Sequence, residues 1–362
     1  MSFLRSAGLM AATTLGAGMF ALPFVTREAG WGLSLAYLAA LSIAVLFAHD
    51  LFAKTLEKLT SRHQLLGLTK RYLGAAAFRA AFFVILGGLV LALVIYLILA
   101  GPFIEAIFPG MGRAGTVLFW FASSLPIFLE LRRLVGAELL GGALMILIIF
   151  IIFLSGRASG GLEGISFVRL DQFFLPFGPI IFSLAGWTAI EPILESQKRA
   201  GTAARVGAAL GTALVSVLYI LFVVGIFNSS ADIVPDTLSG LSAWPYWKTS
   251  LLAWLGLFAL LTSYVPIGLE VRNSLVRDLD WPKASAAALV LFLPPLLYFL
   301  GLQNFLAVLG LAGGVFLSLQ YVFIVLVSKK ALALTPWERL LSAALIGLFF
   351  AAAAYEVFYF IR

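Results

Sequence analysis

Two stretches of this 362-residue chain place helix-breaking residues where an apolar helix should run without interruption. The first is Leu15-Gly16-Ala17-Gly18-Met19-Phe20-Ala21-Leu22-Pro23. The second runs from Pro176-Phe177-Gly178-Pro179 through Ser183-Leu184-Ala185-Gly186-Trp187 to Pro192. Glycine weakens a helix and proline removes a backbone donor, so both stretches predict unwound turns with freed N–H and C=O groups. At mid-depth in a membrane such groups call for a purpose, because hydrocarbon offers them no partner. Amides at the start of a half-helix attract a carboxylate, and carbonyls at the end of one attract an ammonium or a metal cation. The chemistry on offer is recognition by backbone, and a zwitterion fits its two poles. A single cluster of small residues would read as a device for close helix packing. Two clusters in corresponding places read as one binding site, with Gly16, Ala17, Gly18, Met19 and Phe20 on one side and Ser183, Ala185, Gly186 and Trp187 on the other.

Other chemistry is scarce. There is no cysteine and there are two histidines, His49 and His63, so neither a thiol nucleophile nor a metal-hydrolysis cluster is present in the sequence. The histidines sit at or beyond the end of an apolar segment, where an interfacial role is expected. Glu191 lies within an apolar segment, a costly place for an acid and hence a candidate proton site. The run Ala259-Leu260-Leu261-Thr262-Ser263 sets a small residue and two hydroxyls on one helical face. Those hydroxyls either serve a ligand or bond back to their own helix. No catalytic constellation and no channel-type filter sequence appears, so an enzyme or a channel is a distant alternative to a carrier.

The elements that must position these residues are membrane helices. The chain is 62% hydrophobic and 11% charged, with mean hydropathy +1.07, which excludes a soluble globular fold. Crossing a hydrocarbon layer of about 30 Å takes roughly 20 apolar residues. Eleven such spans are predicted, at 6–26, 31–53, 75–100, 114–131, 134–155, 174–196, 204–227, 246–271, 284–302, 304–328 and 338–361. The division between the ninth and tenth rests on Gly301 to Asn304 alone. With an odd number of spans and the N-terminus inside, the loops on the inner side hold 18 Lys and Arg and those on the outer side 6. That split places the N-terminus in the cytoplasm and the C-terminus outside. The basic residues are therefore topology signals and not a nucleic-acid footprint. Residues 56–74 predict an amphipathic helix at the cytoplasmic surface, and 228–247 a short external cap. The whole chain reads as one transmembrane domain in a plasma or bacterial inner membrane, with no obligate protein partner.

Spans 1–5 and 6–10 each begin with a broken helix and enter from opposite sides. This is an inverted five-plus-five repeat, at about 6–155 and 174–328, followed by an extra helix at about 338–361. The motif Gly16-Ala17-Gly18-Met19-Phe20-Ala21-Leu22-Pro23-Phe24, followed by Arg27-Glu28-Ala29-Gly30-Trp31, resembles the first-helix signature of the hydroxy/aromatic amino acid permeases within the amino acid/polyamine/organocation superfamily. Phe182 to Pro192 is similar to that superfamily's broken sixth helix. The resemblance implies a leucine-transporter-type fold and symport of a small neutral amino acid, aromatic or hydroxy, coupled to sodium. A proton is the alternative. It further implies a sodium position built by Ala259, Thr262 and Ser263 with Ala11 and Thr14, and a pocket lined by Phe20, Gly88, Phe182, Trp187 and Tyr264. No other cofactor is implied.

Overall fold

The computed structural model describes residues 2–59, 64–128, 135–156, 164–196, 201–230, 232–241 and 244–361. Its helices are α1 (Ser2–Thr14), α2 (Leu22–Ala29), α3 (Trp31–Glu57), α4 (Leu65–Ile107), α5 (Gly112–Phe128), α6 (Val135–Ser155), α7 (Phe177–Ser183) and α8 (Ile190–Ser196). They continue as α9 (Gly201–Phe227), α10 (Tyr246–Asn273), α11 (Lys283–Phe299), α12 (Phe305–Gly310), α13 (Ser318–Ala331) and α14 (Pro336–Ile361). Every predicted span finds a helical counterpart. Eight units among the described residues are long and apolar enough to cross a membrane alone. The pair α1 and α2, bent by 53° at its break, makes a ninth. The fourth and ninth predicted spans are α5 and α11, each of 17 residues and so about 25 Å long.

Contacts at the two ends of the bundle test the alternation of the spans. At one end Lys54 pairs with Glu338 at 3.1 Å, Arg205 with Asp50 at 3.2 Å and Arg277 with Glu191 at 3.3 Å. At the other, Arg169 meets Glu28 at 3.4 Å, Lys248 meets Ser229 at 2.8 Å and Phe174 stacks on Tyr355 at 3.7 Å. Each contact joins segments that the span count assigns to one side. The first set marks the basic end. The narrow division at Gly301 holds, because a φ of 115° there, open to glycine and strained for other residues, turns the chain between α11 and α12.

Burial within the bundle is graded. The most apolar window of α4 is 78% buried and that of α14 only 28%, so α4 is the central post and α14 faces lipid. Span 10 is helical throughout but widens to a π-helical turn over Leu311–Leu317. There Gly313 packs against the carbonyl of Gly178, an approach that leaves no room for a side chain.

One of the two loop expectations changes. A helix does occupy residues 65–73, and Gly74, at φ 85°, kinks it away from the rest of α4. Its apolar side is not laid on the membrane surface, however. Leu65, Leu66 and Leu68 are buried in protein, and the Gly67 N–H donates to Asp278 Oδ2 at 2.7 Å. The segment expected to form an external cap is irregular. It buries Ile233, Leu238 and Leu241, and its Thr237 hydroxyl donates to the carbonyl of Phe20, closing over the first break.

Candidate functional site

Both predicted breaks are present. Helix α1 stops at Thr14, and a 3-10 turn over Ala17–Ala21 leads into α2, with Pro23 in its first turn, where proline costs no hydrogen bond. Helix α7 stops at Ser183, and the chain resumes as a 3-10 turn at Trp187–Ala189 before α8. The breaks lie against one another. A Cβ on Gly18 would sit 2.9 Å from the Cα and N of Ser183, and one on Gly186 would sit 2.5 Å from Thr14 Oγ1. Gly18 thus allows two backbones to touch, the close approach the sequence pattern asked for, while Gly186 leaves room for side chains that reach the second break.

Between the breaks lies a cavity of about 30 Å³, walled by Gly16 and Gly18, by Phe182, Ala185 and Trp187, and by Gly88, Tyr96 and Gln320. That volume holds about two water molecules, so the walls must part before a solute of amino-acid size enters. None of its walls carries a charge, and an uncharged wall suits a solute without net charge. Its polar groups are largely committed. Trp187 Nε1 donates to Gln320 Oε1 at 3.0 Å, and Gln320 Nε2 donates to the carbonyls of Val84 and Ile85 at 3.2 and 3.3 Å.

Four of the nine predicted binding residues, Gly16, Gly18, Ala185 and Trp187, line this cavity. Ala17, Met19, Ser183 and Gly186 belong to the same breaks but stand behind the wall. Phe20 is buried against Phe103 and Phe222, with ring centres at 4.7 and 5.8 Å, and plugs the side nearest Thr237. Of the pocket positions implied by resemblance, Gly88 and Phe182 are in place. Tyr264 is one layer out, packed on Tyr96 and Phe119.

Each of the five sodium candidates has a hydrogen-bond partner within the protein. The carbonyl of Ala11 accepts the Leu15 N–H at 2.8 Å within its helix. Thr262 bonds back to the carbonyls of Phe258 and Ala259 at 2.8 and 3.3 Å. The Thr14 carbonyl is taken by Tyr219. Only Ser263 reaches across, its Oγ 3.4 Å from the Thr13 carbonyl at the end of α1. Glu191 is held in its ion pair with Arg277.

Sequence reasoning missed two groups. Tyr219 of α9 is fully buried, and its hydroxyl lies 2.8 Å from the Thr14 carbonyl and 2.6 Å from that of Ser183. It ties together the carbonyl ends of both half-helices, a role that a tyrosine in an apolar helix does not announce. His49 corrects the interfacial expectation. It is 3% exposed inside α3, facing the second break. His63 lies outside the described residues.

A bundle whose first and sixth spans break side by side around a cavity is that of a leucine-transporter-type membrane transporter. Solved structures agree on this fold. MhsT in complex with L-phenylalanine matches with a TM-score of 0.70 at 17% identity, over 98% of each chain. A single-residue mutant of the Eremococcus coleocola manganese transporter matches at 0.69 and 12%, over 99% of this chain and 88% of that one. The same transporter in complex with an aromatic bis-isothiourea substituted compound matches at 0.64 and 13%, over 98% of this chain and 87% of that one. No curated protein matches in sequence. The family model for transmembrane amino acid transporter proteins matches residues 1–240, and the chain belongs to that family. It is a transporter and not an enzyme.

Proposed function

We propose that the protein carries a small neutral amino acid, with an aromatic or hydroxy side chain, across a cell membrane by alternating access in symport with sodium. The observation that carries this reading is the uncharged cavity between the two breaks, walled by Gly16, Gly18, Ala185 and Trp187. A bound zwitterion would set its carboxylate on the amides that begin the second half-helices and its ammonium toward the carbonyl ends of α1 and α7. The aromatic wall of Phe182, Trp187 and Tyr96 favours a side chain with apolar surface. The MhsT complex with L-phenylalanine supports the same substrate class.

Sodium coupling rests on Ser263 and the Thr13 carbonyl, which face each other where α1 ends. The orientation proposed has the basic end in the cytoplasm, following the excess of Lys and Arg there. The two five-span repeats are the units that would rock about the cavity. The test is thermal stabilisation of the detergent-purified protein by each amino acid, in sodium and in choline at fixed pH. Stabilisation by neutral amino acids that weakens in choline is the expected result. No response to any amino acid would overturn the substrate reading, and an equal response in choline the sodium reading.

A further inference from the structure

Toward the end opposite the basic one, the bundle carries a further cavity that shares no residue with the amino-acid cavity. It measures about 200 Å³, lies between α2, α3, α7 and α9, and has a mostly aliphatic wall without a charged residue. Graded exposure shows which way it opens. Leu35 of α3 and Ile220 of α9 are 43% and 39% exposed and mark its mouth, whereas Leu22, Ile180 and Tyr219 are 4%, 2% and 0% exposed and mark its floor. The mouth is continuous with the lipid-facing surface of the bundle, since Ile43 on α3 and Val217 on α9 are also exposed apolar residues of spanning helices.

Its depth places the mouth in hydrocarbon. Trp31, also in the wall, opens α3 four residues before Leu35, or about 6 Å along the helix. Tryptophan anchors at the membrane interface, so Leu35 lies below the headgroups. Ile220 stands seven residues before the end of α9 at Phe227, about 10 Å down from the same surface. The charged groups close to Trp31 in this region balance, for Arg27 and Arg169 both meet Glu28, and Arg169 also meets Asp171 at 3.0 Å. Two acids against two bases select no headgroup charge, and recognition falls to the hydrocarbon.

We propose that this crevice is a binding site for one acyl chain of a membrane lipid, which enters between Leu35 and Ile220 and rests on Leu22, Ile180 and Tyr219. An apolar cavity of this kind stays dry, and one of about 150 Å³ already accepts a benzene molecule, so several chain carbons fit. No hydrophobic gain drives the chain in, because lipid tails are as apolar as the wall. The gain is contact: an unfilled crevice leaves its wall without partner atoms on one side, and a flexible chain supplies them. The floor gives the site its meaning. Leu22 begins α2 and Ile180 lies in α7, so the chain packs against one half of each broken span. Tyr219 is the residue whose hydroxyl joins the carbonyl ends at Thr14 and Ser183. The lipid therefore backs the brace between the two breaks, and it does so whatever solute the protein carries.

The test uses the whole protein in lipid nanodiscs that contain a small share of phosphatidylcholine with a diazirine midway along one chain. After irradiation, peptide mass spectrometry should find adducts on Leu22, Ile180 or Tyr219, which lipid passing over the surface cannot reach. Phe349 of α14, equally buried but behind no crevice, should stay unlabelled, and its exposed neighbour Phe350 should be labelled. Leu35→Trp and Ile220→Trp close the mouth from either side. Each should remove the floor adducts and leave Phe350 labelled as in the parent, which also reports that the variant is folded in the bilayer. Adducts confined to exposed residues would reduce the site to an ordinary lipid coat and overturn the proposal. So would floor adducts that persist in both variants. Absence of adducts from Leu35 and Ile220 as well as the floor would mean that a second copy of the chain covers the mouth, and would overturn it equally.

Discussion

Replacing Gly18 with alanine adds one methyl group at the point where the two breaks touch, and the structure fixes what that methyl meets. Its Cβ would lie 2.9 Å from the Cα and N of Ser183, and closer still to the Ser183 hydroxyl. Ordinary contact requires roughly 3.5–4.0 Å between carbon atoms, so the backbones must separate by about half an ångström or more. Neither can yield cheaply. Ser183 is tied through its carbonyl to Tyr219 and through its hydroxyl to the Pro179 carbonyl at 2.8 Å. Overpacking of this kind costs about 1–3 kcal/mol. Because both segments wall the cavity, a loss of about 1.4 kcal/mol in the bound state weakens substrate binding tenfold. Thermal unfolding in detergent, with and without a stabilising amino acid, reads both effects. Gly347→Ala is the control: nothing lies within 4 Å of its added methyl, so it should be neutral or stabilise the helix by up to about 1 kcal/mol. If Gly18→Ala unfolds like the parent and binds equally well, the contact between the breaks is not what shapes the site.

Gly186→Ala should be milder in stability than Gly18→Ala, because its new methyl meets the ends of the Thr14, Met10 and His49 side chains and not backbone; equal losses on heating would count against this. Tyr219→Phe should destabilise by about 1–3 kcal/mol in a denaturation series, since it leaves buried carbonyls at the ends of α1 and α7 without their donor. If sodium binds where α1 ends, Ser263→Ala should abolish the sodium dependence of amino acid binding and Thr262→Ala should spare it; binding titrations in sodium and choline would expose the reverse order. Accessibility tags before Ser2 and after Arg362 should report from opposite sides of the membrane, the first from the cytoplasm, and labelling of both from one side would remove the odd span count.

What could be read from the sequence was whatever the membrane imposes locally. Apolar length dictates a span wherever hydrocarbon must be crossed, and loop charge alternates with the side of the membrane. A Gly or Pro cluster at mid-depth marks a break whatever packs around it. The helices behind the predicted spans, the turn at Gly301 and both breaks were legible for those reasons. The tertiary structure decided which groups meet. Thr262 and Ser263 share a helical face, yet α10 is rotated so that Ser263 faces the end of α1 while Thr262 returns to its own helix. Glu191 looked like a lone acid until the turn after α10 brought Arg277 beside it. His49 looked interfacial because its apolar segment ends a few residues later, but α3 runs on to Glu57 and carries the ring inside. Tyr219 and Gln320 gave no signal at all, because a hydrogen bond between distant helices depends on their rotation and depth, and hydropathy records neither.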